Sequence, residues 1–207
     1  MKPHEIEQQS FAIIDAEAGP HEFSPEQWQI VRRMIHTSAD FEYITSVRIH
    51  PRAVAAGIEA IRRGGTIYTD TNMARTGIRT RDLEAFGVQV QCLMASERIA
   101  RMAADAGITR AKAAVDAVAG ELDNAIYVVG NAPTALLRLI ELIVRGTAAP
   151  ALVIGLPVGF VNAAESKAAL LDLDIPYITN VGRKGGSNVA ASVVNALTLL
   201  ALEDRVA

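Results

Sequence analysis

Apolar residues recur along this chain in two rhythms. One is helical spacing, as in Trp28, Val31 and Ile35, which gathers side chains on one face of a helix. The other is the short continuous run, as in Ala-Ile-Tyr-Val-Val at 125–129 and Ala-Leu-Val-Ile at 151–154. Such runs suit strands covered on both faces. The helical rhythm starts at Ser24-Pro-Glu-Gln27, where Ser supplies a cap, Pro suits the first helical position and Gln completes a capping box; that helix runs towards His36. Further helices are predicted over 52–63, ended by Gly64-Gly65, and over 96–106, closed by Gly107. Others follow at 109–121, 132–144, 163–171 and 188–202. Strands are predicted at 66–70, 88–94, 125–129, 151–154 and 177–179.

Strands and helices therefore alternate with short connections. Right-handed βαβ units and a largely parallel sheet follow from that order. The expected class is α/β, a Rossmann-like three-layer sandwich forming one domain over 1–207. The pattern does not give the strand order.

Composition narrows the function. Half the residues are apolar, and mean hydropathy is +0.22. The uncharged stretch 146–164 approaches a spanning length of about 20 residues, but Pro150, Gly155, Pro157, Gly159 and Asn162 would break a helix there. The first ten residues are charged and no apolar segment follows, so no signal peptide is expected. A cytoplasmic protein without membrane contact is the default. The net charge of −3 disfavours nonspecific nucleic-acid binding. The single Cys92 excludes an intrachain disulfide and a multi-cysteine metal site; within an alternating strand pattern it reads as a buried, inert thiol.

In doubly wound folds, ligands bind beyond the carboxyl ends of the strands. Three glycine-bearing turns would lie there: 130–134, 155–160 and 182–187. Each offers backbone N–H groups at a helix start, and Arg183 and Lys184 add full charge, so an anionic ligand is expected. Nucleotide fingerprints are absent, as are G-x-S-x-G and H-E-x-x-H. His4, His21 and His50 read as surface residues near prolines. His36 ends an amphipathic helix, with Asp40 at i+4 to orient its ring if the helix persists that far. Two readings stay open: a general acid near neutrality, or a helix-end histidine offsetting the dipole.

The same segments carry a resemblance. In order, they are Ser10-Phe-Ala-Ile-Ile14, Met34-Ile-His-Thr-Ser-Ala-Asp-Phe41, Ile67-Tyr-Thr-Asp-Thr71 and Gly107-Ile-Thr-Arg110. Then come Gly130-Asn-Ala-Pro-Thr-Ala-Leu136, Pro157-Val-Gly-Phe-Val161 with Glu165-Ser-Lys167, and 182–191 with Val194-Asn-Ala-Leu197. Across nearly the whole chain this resembles the precorrin-8X methylmutases, with the cobalt-precorrin-8 members nearest.

The resemblance implies an isomerase of cobalamin biosynthesis that moves a methyl group from C11 to C12 of a tetrapyrrole. The product is hydrogenobyrinic or cobyrinic acid. It implies no resident cofactor and no protein-bound metal; cobalt, where present, belongs to the substrate ring. The family's histidine falls on His36, which would protonate or hydrogen-bond a ring nitrogen. Substrate contacts carry over to Ser10, Arg33 and Arg110, with Gly159, Gly182 and Lys184 lining the pocket. A homodimer with the site at the subunit interface is also implied; the small-residue faces 111–119 and 190–201 suit either that interface or core packing. Departures are Arg79, Ala111 where some members have Ser, and Asn162 where Gly is usual, a change a helix cap could absorb. The competing readings are a non-catalytic corrinoid carrier of the same fold and an unrelated nucleotide-binding α/β enzyme.

Overall fold

A computed structural model of the chain describes residues 3–203, with side chains from residue 5 onward. The expectation for His4 lies outside the described side chains. Six strands form one sheet: β1 (Val47–Ile49), β2 (Ile67–Thr69), β3 (Val90–Cys92), β4 (Ile126–Val129), β5 (Leu152–Gly155) and β6 (Tyr177–Asn180). Their order is β1-β6-β5-β4-β2-β3. All neighbours are parallel except β1 against β6, where Val47 pairs with Asn180 and Ile49 with Ile178.

The period-two alternation of strand side chains divides the core into two layers. Ile67, Ile126, Leu152, Ile154 and Ile178 face one side. There they meet α2 (Pro25–Ser38), α4 (Ala53–Arg62) and α11 (Ser187–Glu203). Tyr68, Tyr127 and Val153 face the other side, against α8 (Arg110–Val118), α9 (Pro133–Val144) and α10 (Ala163–Leu171). The three-layer α/β/α expectation therefore holds. β4 and β5 are buried at every position, as their continuous apolar runs require. The small-residue faces also resolve: Ala111, Ala113 and Ala114 of α8, and Ala190, Ala191 and Ala196 of α11, are buried inside the chain.

The capping box at Ser24 and Gln27 is formed, with Pro25 in the first turn. Elements that periodicity did not reveal are α1 (Pro3–Ala18), α3 (Tyr43–Ser46), α5 (Asn72–Gly77), α6 (Thr80–Leu83) and the edge strand β1. An outer helix, α7 (Glu97–Ala106), packs on α8 through Ile99 and Ala103.

From β2 the chain passes outward to β3, returns past β2 to β4, and continues through β5 to β6. The direction of winding reverses between β2 and β4, so the topological switch point lies at their carboxyl ends. Because β1 runs antiparallel, its first residue lies at that same edge of the sheet, beside the end of β6. The end of α2 is thereby carried to the carboxyl edge. Among the described residues, no helix is long and apolar enough to cross a membrane.

Candidate functional site

The first of the three glycine turns is closed from within. Asp70, just past β2, is buried, and its carboxylate accepts from the N–H groups of Gly130 (2.9 Å), Asn131 (2.8 Å) and Ala132 (2.6 Å). Those donors open α9, and one of the chain's own side chains takes the place an anion would take. Burial pushes the Asp70 carboxyl upward, against the downward pull of the three amides. Gly130 also packs tightly: a Cβ there would come within 2.6 Å of the Ser187 Cα. The expectation that this turn binds an external anion is thus overturned.

The other two turns meet at the ends of β5 and β6. Gly186 N–H donates to the Leu156 carbonyl (2.9 Å) and Gly159 N–H to the Arg183 carbonyl (3.2 Å). Gly185 is required by this contact, since a Cβ would lie 2.3 Å from the Leu156 oxygen. The Gly159 N–H is therefore already used. Gly182 borders a groove of about 330 Å³ with Ala164, Glu165, Ala168, Leu171 and Val181. Val181, in that lining, stands exposed, as do Val158, Phe160 and Val161 after β5, Phe160 at 84%. The Arg183 guanidinium lies 5.6 Å from the Phe160 ring centre.

His36 and Ser10 line one cavity of about 310 Å³, with Ile13, Ile14, Ile35 and Phe41 among its walls. The imidazole is exposed in the last turn of α2 and meets the Phe11 ring edge-on at 5.2 Å. The Ser10 hydroxyl donates to the Ile6 carbonyl (2.8 Å). Asp40 does not serve His36. Helix α2 ends at Ser38, Ala39 turns left-handed (φ 53°), and Asp40 leaves the helical face. Its carboxylate instead accepts from Lys184 Nζ (2.6 Å) and from the Glu42 N–H (3.0 Å). Lys184 also pairs with Glu42 (2.8 Å). The Lys184 bond holds the Asp40 carboxyl below its usual range, and Asp40 and Glu42 together raise Lys184.

The remaining candidates are more dispersed. Arg33 is mostly covered, pairs with Glu7 (3.0 Å) and lies 5.2 Å from the Phe11 ring centre, so in this arrangement Glu7 holds its charge. Arg110 is exposed at the start of α8, on the sheet face opposite α2. One chain therefore gathers Ser10 and His36, links Lys184 to the end of their helix, and leaves Arg110 apart. Arg79 pairs with Asp82 (2.9 Å). Asn162 does not cap α10: its backbone is left-handed (φ 59°) and its side chain makes no cap bond. That conformation suits Gly, and Asn is among the residues that tolerate it.

Two other histidines are less superficial than expected. His21 stacks on Trp28 with ring centres 4.0 Å apart, and its Nδ1 is buried. His50 is largely covered; its Nε2 lies 3.2 Å from Asp174, and its Nδ1 accepts from the Arg52 N–H. Cys92 is only half-buried. Among the described residues, no cluster of three His, Cys, Asp or Glu side chains could hold a metal ion.

Lys167 of α10 closes the Glu165-Ser-Lys167 stretch, and the sequence assigns it no role. It is fully buried, and its ammonium donates to the Asn180 side-chain carbonyl (3.1 Å) and to the Lys184 backbone carbonyl (2.5 Å). Burial lowers its pKa from 10.5 to about 8. The sequence around it, Ala-Glu-Ser-Lys-Ala, reads as an ordinary helix surface, so only its place in the motif marks it.

Fold and geometry together define a doubly wound α/β protein whose switch-point nest is self-filled and whose cavity at His36 and exposed apolar loop lie along the carboxyl edge towards β6 and α2. The precorrin-8X methylmutase family model matches residues 5–200, and the chain belongs to that family of isomerases. It is 46% identical over 201 residues to the cobalt-precorrin-8 methylmutase of Priestia megaterium, covering 97% of this chain and 89% of that one. The Salmonella typhimurium cobalt-precorrin-8 methylmutase is 46% identical over 202 residues, covering 95% and 94%. The solved precorrin-8x methyl mutase of Thermus thermophilus superposes with a TM-score of 0.91 at 47% identity, covering 97% of both chains.

Proposed function

We propose that the chain rearranges cobalt-precorrin-8, or its metal-free counterpart precorrin-8X, by moving the C11 methyl group to C12 in cobalamin biosynthesis. The observation that carries the proposal is the shared cavity of His36 and Ser10, at the edge where the apolar residues 158, 160, 161 and 181 stand exposed. An intramolecular shift needs no external methyl donor and no protein nucleophile. It needs a held ring and a proton placed beside the migrating carbon. His36 is exposed to that cavity, and its ring nitrogens have no hydrogen-bond partner among the described residues, leaving the ring free to serve a ligand nitrogen. Ser10 orients the ligand from the facing helix. Arg110 meets a peripheral carboxylate as a planar clamp; Arg33 and Lys184 meet others by exchanging Glu7, and Asp40 or Glu42, for the ligand.

The reading takes a homodimer with its site between subunits, working in the cytoplasm. Two observations support the dimer: Arg110 lies apart from His36 within one chain, and the exposed apolar loop leaves surface for a second copy and a large flat ring. Cobalt is treated as part of the substrate, and no resident cofactor is invoked.

The test is incubation of purified protein with each substrate while following the visible spectrum. Conversion by the wild type is expected, together with corrinoid binding by H36A at greatly reduced turnover. Binding without conversion by the wild type would leave a carrier, and normal turnover by H36A would remove the histidine's assigned role.

A further inference from the structure

A buried lysine without a carboxylate partner is costly, because its charge has left water and no opposite charge compensates it. Lys167 is in that position, and what it gains is two acceptors, one at the end of β6 and one in the loop that follows it. Asn180, the last residue of β6, accepts from Lys167 through its side-chain carbonyl; its amide nitrogen donates to the carbonyls of Val181 (3.2 Å) and Lys184 (3.0 Å). The Lys184 carbonyl thus receives both the ammonium and the amide. On its other side, the Lys184 side chain reaches Asp40 and Glu42, just beyond the end of α2, the helix that carries His36. A continuous series of bonds runs from the interior of α10, through one loop backbone, to the end of the His36 helix.

We propose that Lys167 is a positioning residue for the methylmutase site: its buried ammonium fixes the 181–186 loop and so sets where Lys184 stands against the Asp40–Glu42 turn. The inference rests on the proposed function for its catalytic consequence, but the loop itself can be read without any substrate.

Methionine has nearly the length of lysine and suits a buried site, so K167M is expected to fold: it removes a buried charge that no opposite charge compensates, and the Lys184 carbonyl keeps its Asn180 amide donor. K167Q, which keeps an N–H donor on a shorter stem, is the second variant. Amide exchange in the ligand-free protein is measured first. In K167M the Gly186 and Val181 amides, bonded to Leu156 and Ser46, are expected to exchange at least about tenfold faster, while β4 and β5 stay unchanged. K167Q is expected to fall between K167M and the wild type. Corrinoid affinity is then expected to weaken about tenfold in K167M, with kcat changed less than threefold. The loss should be non-additive with that of K184A, because both act through the same side chain.

Unchanged exchange at 181 and 186 in both variants overturns the proposal. So does faster exchange with unchanged corrinoid affinity, and so does full additivity with K184A. Failure of the wild type to convert either substrate would instead count against the proposed function, while the exchange and binding results would still decide the role of Lys167.

Discussion

Three glycine-bearing turns sit at the same edge of one sheet, and one of them does the opposite of the other two. The turn at 130–134 lies at the topological switch point, where a ligand is expected in this architecture, yet the Asp70 carboxylate fills it. The paired turns at 155–160 and 182–187 lie further along, expose Val158, Phe160 and Val161, and border a groove. The difference comes from residues remote in sequence. An acidic side chain sixty positions upstream closes the first turn; a buried lysine from the preceding helix props the last. A glycine-bearing turn is a permissive backbone, and the side chain that arrives from elsewhere decides whether it is a site.

If this comparison is right, changes in the closed turn should damage folding and changes in the open region should damage turnover. The largest effect is expected at Asp70. D70A would take the acceptor from three amide donors, one of them buried and two partly so, and cost about 3 kcal/mol of stability, read from the urea midpoint. A midpoint within error of the wild type would break the comparison. Next, H36A is expected to lower kcat by about 100-fold with an unchanged melting temperature, since the ring is exposed and makes no structural hydrogen bond among the described residues.

A third, smaller effect tests the buried lysine by pH. The folded pKa of Lys167 is about 8 against 10.5 unfolded. Between those values the unfolded chain holds the extra proton, so stability gains from rising pH; below 8 both states are charged and the burial cost is fully present. Relative to K167M, which lacks the group, the wild type should gain about 2 kcal/mol between pH 7 and 9.5. Equal pH dependence of the two urea midpoints would show that the ammonium is not buried as described. The smallest effect is expected at Arg110. R110M should weaken corrinoid binding about tenfold, or about 1.4 kcal/mol, and leave stability unchanged because the residue is exposed.

The layered class, most helices and the buried strands were legible because they rest on local periodicity and caps. The capping box at Ser24 is formed as read. What stayed hidden depends on contacts distant in sequence. Three residues of β1 are too few to show a period. The partnership of His36 and Asp40 required one more helical turn, and the left-handed Ala39 ended the helix first. Lys167 looks like a solvated helix residue until β6 and its loop close over it. For the site, Ser10 and His36 were placed together by resemblance and share a cavity, whereas Arg33 proves to be paired with Glu7.

The antiparallel strand β1 also has a consequence for the order of folding. Val47 pairs with Asn180, and α2 packs chiefly on α11, the last helix. Parallel units between β2 and β6 can assemble as they emerge during synthesis, but β1 and α2 lack their main partners, β6 and α11, until the last thirty residues exist. Such long-range closure is slow, and it leaves an apolar helix waiting in the open. The segment that carries His36 is therefore made early, while the strand and helix it packs against, β6 and α11, are made last.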